Sequence, residues 1–372
     1  MPQFSKRPSA IGNKLLSLSL IMSVVISPFA IMSSAQADLS VFNEAYDKLA
    51  ADNGNPLKAP TEQQKQFIKQ TLRSAGMTVP IVSIQPSKLP SMYQVTLAQS
   101  STTEPQLPLH ITEDAQYILQ GELQPNPSPK KSKPPKEAPS KTLSGMPVSE
   151  ALRASILANS SLLKNITPEV ALYHTAVPGV IWGTTLNGQP FITNTDASVF
   201  TSGEISVIEN GQFAGLDADF EQKKNRQVLS QLDEDNLVVY PATNKEQAVI
   251  YVATDINCPY CRVMHNDMKQ LNAKGITVKV IAYPYYEKSP EQMRQIWCET
   301  DKNARRRALD KAMAGEPVAS TCTNSSVNNL KANHIKAAGL AVFATPAIYR
   351  EDGVAFNAPY KDPRFLPFLG IK

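Results

Sequence analysis

The sequence predicts an α/β domain from residue 237 to 372, preceded by two small α+β units and a connecting helix. Three observations predict it. Ala248 to Thr254 (AVIYVAT) is β-branched and apolar; beyond it Pro259 introduces apolar residues at Val263, Met264, Met268 and Leu271, so a buried strand turns into a helix. Further upstream, one succession of elements (helix, turn, strand, turn, strand, closing Gly-Glu) occurs twice. Between these units and the last domain, Asp217 to Asn236 is polar and rich in helix formers.

The first 37 residues belong to none of these parts. Lys6, Arg7 and Lys14 make a basic start, Leu15 to Met32 an apolar stretch, and Ala35-Gln36-Ala37 a small-residue cleavage site. An export signal cleaved after Ala37 is therefore expected. A membrane anchor is the competing reading, but Ser17, Ser19, Ser23, Ser27 and Pro28 interrupt the run. No other stretch approaches the ~18 apolar residues that a span needs, so a soluble mature protein is expected. Losing the signal lowers the net charge from +4 to +1, which gives no basic character from which to expect a nucleic-acid partner.

Residues 38–60 carry Leu39, Phe42, Tyr46 and Leu49 at helical spacing before the break at Asn53-Gly54-Asn55-Pro56. The first unit, 61–123, opens with a helix over Thr61 to Ser74 that Gly76 ends. Extended segments follow around Val79 to Ile84, Tyr93 to Ala98, Leu109 to Thr112 and Tyr117 to Leu123. Residues 124–147 hold seven prolines and five lysines against one glutamate, the composition of a solvated linker. The second unit, 148–216, opens with a helix over Val148 to Lys164. Its Val177 to Trp182 answers Leu89 to Gln94, Pro190 to Thr193 answers Pro108 to Ile111, and Ser198 to Ile205 answers Gln116 to Leu123. The order of elements argues for duplication more than the residues do. The connecting helix is expected over 217–236, up to ~30 Å long. In the last domain we expect the strand and helix above, a strand over Thr277 to Tyr283, and helices from Pro290 to Gly339. Strands at Ala347 to Tyr349 and Val354 to Phe356 and a short helix after Asp362 complete it.

The four cysteines, Cys258, Cys261, Cys298 and Cys322, lie in this domain, and an exported chain meets an oxidising compartment. Pro259 suits the first helical position, which leaves Cys258 at the cap in the positive field of the helix start. Cysteines so placed have pKa values of roughly 3.5–7.5, which favours a nucleophilic thiolate. Cys261, one turn further in, is expected to be less exposed. Such a dithiol does reversible two-electron chemistry: Cys258 attacks a disulfide and Cys261 releases the mixed disulfide. A structural bridge is disfavoured by strain across two residues. Zinc held by Cys258, Cys261 and His265, with Cys298 or Cys322, is a stronger competitor, but the expected second short-spaced pair is missing, so neither metal nor cofactor is expected. Cys298 and Cys322 fit, by elimination, a structural disulfide stabilising the fold by about 3 kcal/mol. Thr345-Pro346 reads as a strand start or as a loop beside the dithiol.

With these residues in view, the chain from Asn236 onward resembles the bacterial periplasmic disulfide isomerases of the DsbC/DsbG type. The resemblance rests on Thr254-Asp255-Ile256-Asn257-Cys258-Pro259-Tyr260-Cys261, His265, Ile296-Trp297-Cys298, Ala314-Gly315, Cys322 and Thr345-Pro346. It implies a thioredoxin fold with a helical insertion, Cys258 as attacking and Cys261 as resolving thiol, Thr345-Pro346 as a substrate-binding cis-proline loop, and a Cys298–Cys322 bridge. It also implies a connecting helix and a cystatin-like dimerisation domain, which Val148 to Gly211 resembles, with residues 61–123 as an extra copy. Pro259-Tyr260 is the DsbG-like dipeptide, and Ala344 stands where glycine is usual. The implied function is isomerisation of wrong disulfides in misfolded exported proteins in the periplasm, with an inner-membrane thiol-disulfide reductant as second partner. A dithiol oxidase, a reductase of oxidised single cysteines and a chaperone-like binding protein are the alternatives. A homodimer is expected, the other arrangement being pairing of the two repeats within one chain.

Overall fold

A computed structural model describes residues 57–99, 107–126, 140–159, 172–185, 188–318 and 329–371. The chain divides between Leu39 and Ser40, and all described residues belong to the second unit. The expected export signal and the helix expected around Leu39 to Leu49 lie outside the described residues. Among the described residues no helix is long and apolar enough to cross a membrane.

The first repeat opens with α1 (Glu62–Ser74), one residue inside the expected span. The Thr61 hydroxyl accepts from the Gln64 amide at 3.2 Å and the Gln64 side chain accepts from the Thr61 amide at 2.8 Å, so two orphan donors are satisfied. Gly76, at φ 94°, turns the chain out of the helix. Ile68 and Leu72 pack onto an antiparallel meander of β1 (Ile81–Pro86), β2 (Met92–Leu97), β3 (Leu109–Thr112) and β4 (Tyr117–Gln120). His110 on β3 is fully buried. Its Nε2 lies 3.2 Å from the Gly121 carbonyl, which can only accept, so Nδ1 takes the Ser87 hydroxyl at 2.8 Å.

Burial lowers the His110 pKa to about 4 from the ordinary 6.5. Between those values the unfolded chain binds a proton that the folded repeat refuses, so stability is complete above pH 6.5 and drains away as pH falls to 4. The loss amounts to about 3 kcal/mol. Amide exchange across β2 to β4 is expected to report that fall in opening free energy between pH 7 and pH 4; a flat profile would refute the argument.

After β4 the chain leaves its own sheet. Strand β5 (Gln124–Pro125) pairs instead with the second repeat, which comprises α2 (Glu150–Asn159), β6 (Leu172–His174), β7 (Val180–Thr184), β8 (Pro190–Asn194) and β9 (Val199–Thr201). In return, β10 (Ile205–Glu209) crosses to the first repeat and carries β11 (Gln212–Leu216) with it. The sheets therefore run β1-β2-β3-β4-β10-β11 and β5-β9-β8-β7-β6. Neither repeat closes its sheet from its own segment: β5, which lies in the expected linker, belongs to the second repeat's sheet, and β10 and β11, within the expected second unit, belong to the first's. The expected linker is also ordered at its ends, because residues 124 and 125 are strand and Ser140–Leu143 form a 3-10 turn. Residues 127–139, and those of the expected second helix beyond Asn159, lie outside the described residues.

Helix α3 (Ala218–Ser230) has 13 residues, about 20 Å, and stops six residues short of the expected end. The reason lies 100 residues away. The buried Asn333 side chain accepts from the Asp233 amide at 3.2 Å and donates to the Asp233 carbonyl at 3.1 Å, and the chain turns there into a 3-10 segment over Glu234–Asn236. The helix is no exposed spacer: Phe220, Val228 and Leu229 join one apolar cluster with Tyr173 and Trp182 of the second repeat and Tyr251, Tyr283, Leu340 and Tyr349 of the last domain. Lys224, fully buried, lies 3.0 Å from Glu221 and 4.1 Å from the Trp182 ring centre.

The last domain is built on β12 (Val238–Tyr240), β13 (Ala248–Thr254), α4 (Pro259–Asn266), α5 (Met268–Ala273) and β14 (Ile276–Ala282). There follow α6 (Ser289–Trp297), α7 (Lys302–Met313), α8 (Asn329–Ala337), β15 (Ala347–Arg350) and α9 (Phe365–Phe368). Its sheet runs β12-β14-β13-β15 with β13 and β14 parallel, and α6 to α8 lie between β14 and β15 in chain order. The strand expected at Val354 to Phe356 is absent: the turn at Gly353 leaves room for a single bridge between Tyr349 and Ala355. Trp297 is fully buried, and its indole donates to the Asn236 carbonyl at 2.8 Å, which fixes the end of α6 to the entrance of the domain.

Candidate active site

Strand β13 runs between β14 and β15 in the sheet and is buried from Ile250 to Thr254, and it delivers Asp255 to Cys258 at its carboxyl end. Cys258 adopts the extended backbone of a helix cap (φ −81°, ψ 119°), with Pro259 in the first turn and the Cys258 carbonyl accepting from the Arg262 amide at 3.2 Å. Beneath the motif sits Asp255, wholly buried. Its Oδ1 accepts from the Asn257 amide at 2.7 Å and the Ser289 hydroxyl at 2.6 Å. Its Oδ2 accepts from the amides of Tyr285 and Tyr286 at 2.6 and 2.9 Å. One carboxyl group thus ties the dithiol turn, the start of α6 and the loop after β14 into a single frame. The Asn257 side chain adds bonds to Ser289 at 2.9 Å and Gln292 at 2.8 Å.

Cys258 and Cys261 are both free thiols. The difference in access expected between them is absent, since they are 2% and 1% exposed. Cys258 donates to the Thr345 carbonyl at 3.0 Å, and the Tyr286 side chain lies against its sulfur, so the outer thiol is covered as well. The Thr345–Pro346 peptide bond is cis. Burial pushes the Cys261 thiol up to about 12, which keeps it protonated at rest. The Cys258 sulfur beside Tyr286 raises the phenol's pKa in turn.

The segments that meet here carry apolar side chains that face solvent: Tyr260 (74% exposed) and Val263 on α4, Tyr285 (53%) and Tyr286 in the loop bonded to Asp255, and Phe343 (56%) two residues before Thr345. Tyr285 and Tyr286 meet edge to face with centroids 5.7 Å apart. Of the predicted site residues, Cys258, Pro259, Tyr260, Cys261, Thr345 and Pro346 come together here. Cys298 stands apart at the end of α6 and is disulfide-bonded, whereas Cys322 lies outside the described residues. His265 turns away from the thiols, 3.0 Å from Asp310 and edge-on to Tyr240. Sequence reasoning missed Asp255, Asn257, Ser289, Tyr285, Tyr286 and Phe343 as parts of the site. Asp255 was visible as an acidic residue between a buried strand and a dithiol, but three of its four donors lie some thirty residues on and leave no local signal.

Comparisons with known proteins bear on both ends of the described chain. A family model described as a thioredoxin-like domain matches residues 234–359. One described as the disulfide bond isomerase protein N-terminal domain matches residues 54–124, which places the recognisable N-terminal copy on the first repeat, the one expected to be the extra copy. The thiol:disulfide interchange protein DsbC of Salmonella typhimurium is 40% identical over 145 residues, 38% of this chain and 58% of that protein. The protein of the same name from Pasteurella multocida is 30% identical over 203 residues, 52% of this chain and 81% of that protein. A solved structure, the disulfide interchange protein from Neisseria gonorrhoeae, has a TM-score of 0.32 and 15% identity, covering 37% of this chain and 96% of that one. The chain thus spans little more than half the length of the Salmonella relative and most of the Pasteurella one.

Proposed function

Because this chain belongs to the DsbC family of thiol:disulfide interchange proteins, we propose that it rearranges non-native disulfides in exported proteins of the periplasm. The observation that carries this reading is the free dithiol at the start of α4, with one sulfur held between the Thr345 carbonyl and the Tyr286 side chain. Cys258 as thiolate attacks one sulfur of a substrate disulfide; the substrate S–S bond breaks, a Cys258–substrate disulfide forms, and the released substrate thiolate takes a proton. Two outcomes then compete. The freed substrate thiol can attack another substrate disulfide and finally return to displace Cys258, which is isomerisation with no net change in electrons. Alternatively Cys261 gives up its proton and attacks Cys258, which reduces the substrate by two electrons and leaves Cys258–Cys261 oxidised. The high pKa of Cys261 holds back the second route and lengthens the life of the mixed disulfide in which reshuffling occurs.

On this reading an inner-membrane thiol-disulfide reductant restores the dithiol, and the two repeats serve as cystatin-like carriers of the last domain. Tyr260, Tyr285, Tyr286 and Phe343 suit exposed apolar segments of misfolded chains. The test is refolding of a scrambled multi-disulfide protein by the reduced enzyme under conditions where oxidation is already complete. Recovery of native activity well above the uncatalysed rate is expected. No recovery, together with rapid oxidation of a reduced peptide by the oxidised enzyme, would leave the dithiol oxidase in its place.

A further inference from the structure

The two repeats exchange strands reciprocally. The strand that ends the first repeat, β5, adds to β9 of the second, with Gln124 opposite Phe200 and Pro125 opposite Val199. Its counterpart β10, which ends the second repeat, adds to β4 of the first, with Ile205 opposite Leu119, Ser206 opposite Ile118 and Val207 opposite Tyr117. The two crossing segments meet at Gly121 and Gly203, the glycines of the repeated Gly-Glu. A Cβ at Gly203 would collide with the Gln120 carbonyl oxygen, and one at Gly121 would collide with the Thr201 hydroxyl. Just beyond the crossing, the buried Asn126 amide nitrogen donates to the Asn159 carbonyl at 2.6 Å and the Ala197 carbonyl at 2.9 Å, which locks β5 into the second repeat. Leu89, Met92, Leu119 and Leu123 of the first repeat share one apolar cluster with Val177, Val180, Trp182 and Ile192 of the second.

A reciprocal swap of equivalent terminal strands is the geometry by which two identical domains associate about a twofold axis. We infer that this chain is a strand-exchanged dimer condensed into one polypeptide: each repeat is the other's partner, and one dithiol serves the exchanged pair. It is the second of the two arrangements open to the sequence. Tethering favours it over pairing with another copy, since residues 124–147 join the halves and set an effective concentration of order millimolar, far above any micromolar supply of second chains. The last domain is seated asymmetrically in keeping with this. It packs on the second repeat, where Gly339 lets the Tyr173 hydroxyl approach and Gly188 faces the Tyr283 hydroxyl.

The inference does not depend on the direction of the redox chemistry, and its test does not read it. Light scattering of the mature protein between micromolar and hundred-micromolar concentrations is expected to give the mass of one chain throughout. A mass twice as large, at any concentration in that range, overturns the inference. A second measurement separates exchange within the chain from mere proximity. With a protease site inserted within residues 127–139 and cut, the two pieces are expected to co-elute under native conditions and to part only in denaturant. Native separation of the pieces overturns it equally.

Discussion

Replacing Cys258 by serine is expected to reduce disulfide exchange at least about a thousandfold, because a hydroxyl supplies no thiolate to attack a sulfur. Replacing Cys261 by serine has a different signature. Cys258 still attacks, but nothing within the enzyme displaces it, so mixed disulfides with exported proteins accumulate. The asymmetry follows from the structure: Cys258 sits at the helix cap against the Thr345 carbonyl and the Tyr286 hydroxyl, whereas Cys261 is buried one turn inward with its thiol pushed up to about 12. The measurement is non-reducing electrophoresis of each variant after acid quenching. Trapped adducts in Cys258→Ser and none in Cys261→Ser would reverse the assigned roles.

The second large effect is on stability, and it comes from Asp255. Alanine there strands four donors at once: the amides of Asn257, Tyr285 and Tyr286 and the hydroxyl of Ser289. Donors of this kind left without a partner cost about 1–3 kcal/mol each. Tyr285 and Tyr286 lie at the surface and can recover water, so the expected loss is about 3–5 kcal/mol rather than the full sum. Asparagine keeps the shape but turns an amide donor towards other donors, so Asp255→Asn should recover little of it. The urea midpoint of the last domain, followed through the buried Trp297, checks both variants, and a midpoint equal to that of the parent would dismiss Asp255 as the frame of the site.

What the sequence discloses about this molecule depends on the distance over which each feature is decided. Strand β13 occupies the very residues expected, Ala248 to Thr254, because a strand covered on both faces is written as an unbroken β-branched run and Pro259 punctuates its end. Helix α1 was equally legible, with Thr61 and Gln64 forming its cap within four residues. The end of α3 was not, because Asn333 decides it from across the domain. The frame around Asp255 escaped for the same reason, since its donors come from three separate segments. The repeats were visible as a repeated order of elements. Their mutual exchange was not, because an edge strand carries the same alternation whether its neighbour lies in its own unit, in the other unit or in another chain.

The crossing at Gly121 and Gly203 has a consequence for how this protein can change. In a twofold dimer of identical subunits every substitution appears twice and must be tolerated on both sides of the axis at once. With both halves encoded in tandem, each side varies alone. The second repeat has taken on a cushion for the last domain, built from Tyr173 and Trp182, while in the first repeat His110 and Ser87 occupy the interior. Only the crossing itself still answers to both halves, since a side chain gained at either glycine presses on the strand contributed by the other. Divergence is thus expected to be free across the two faces and narrow at that one point, which accounts for two units that share an order of elements and a closing Gly-Glu but few other residues.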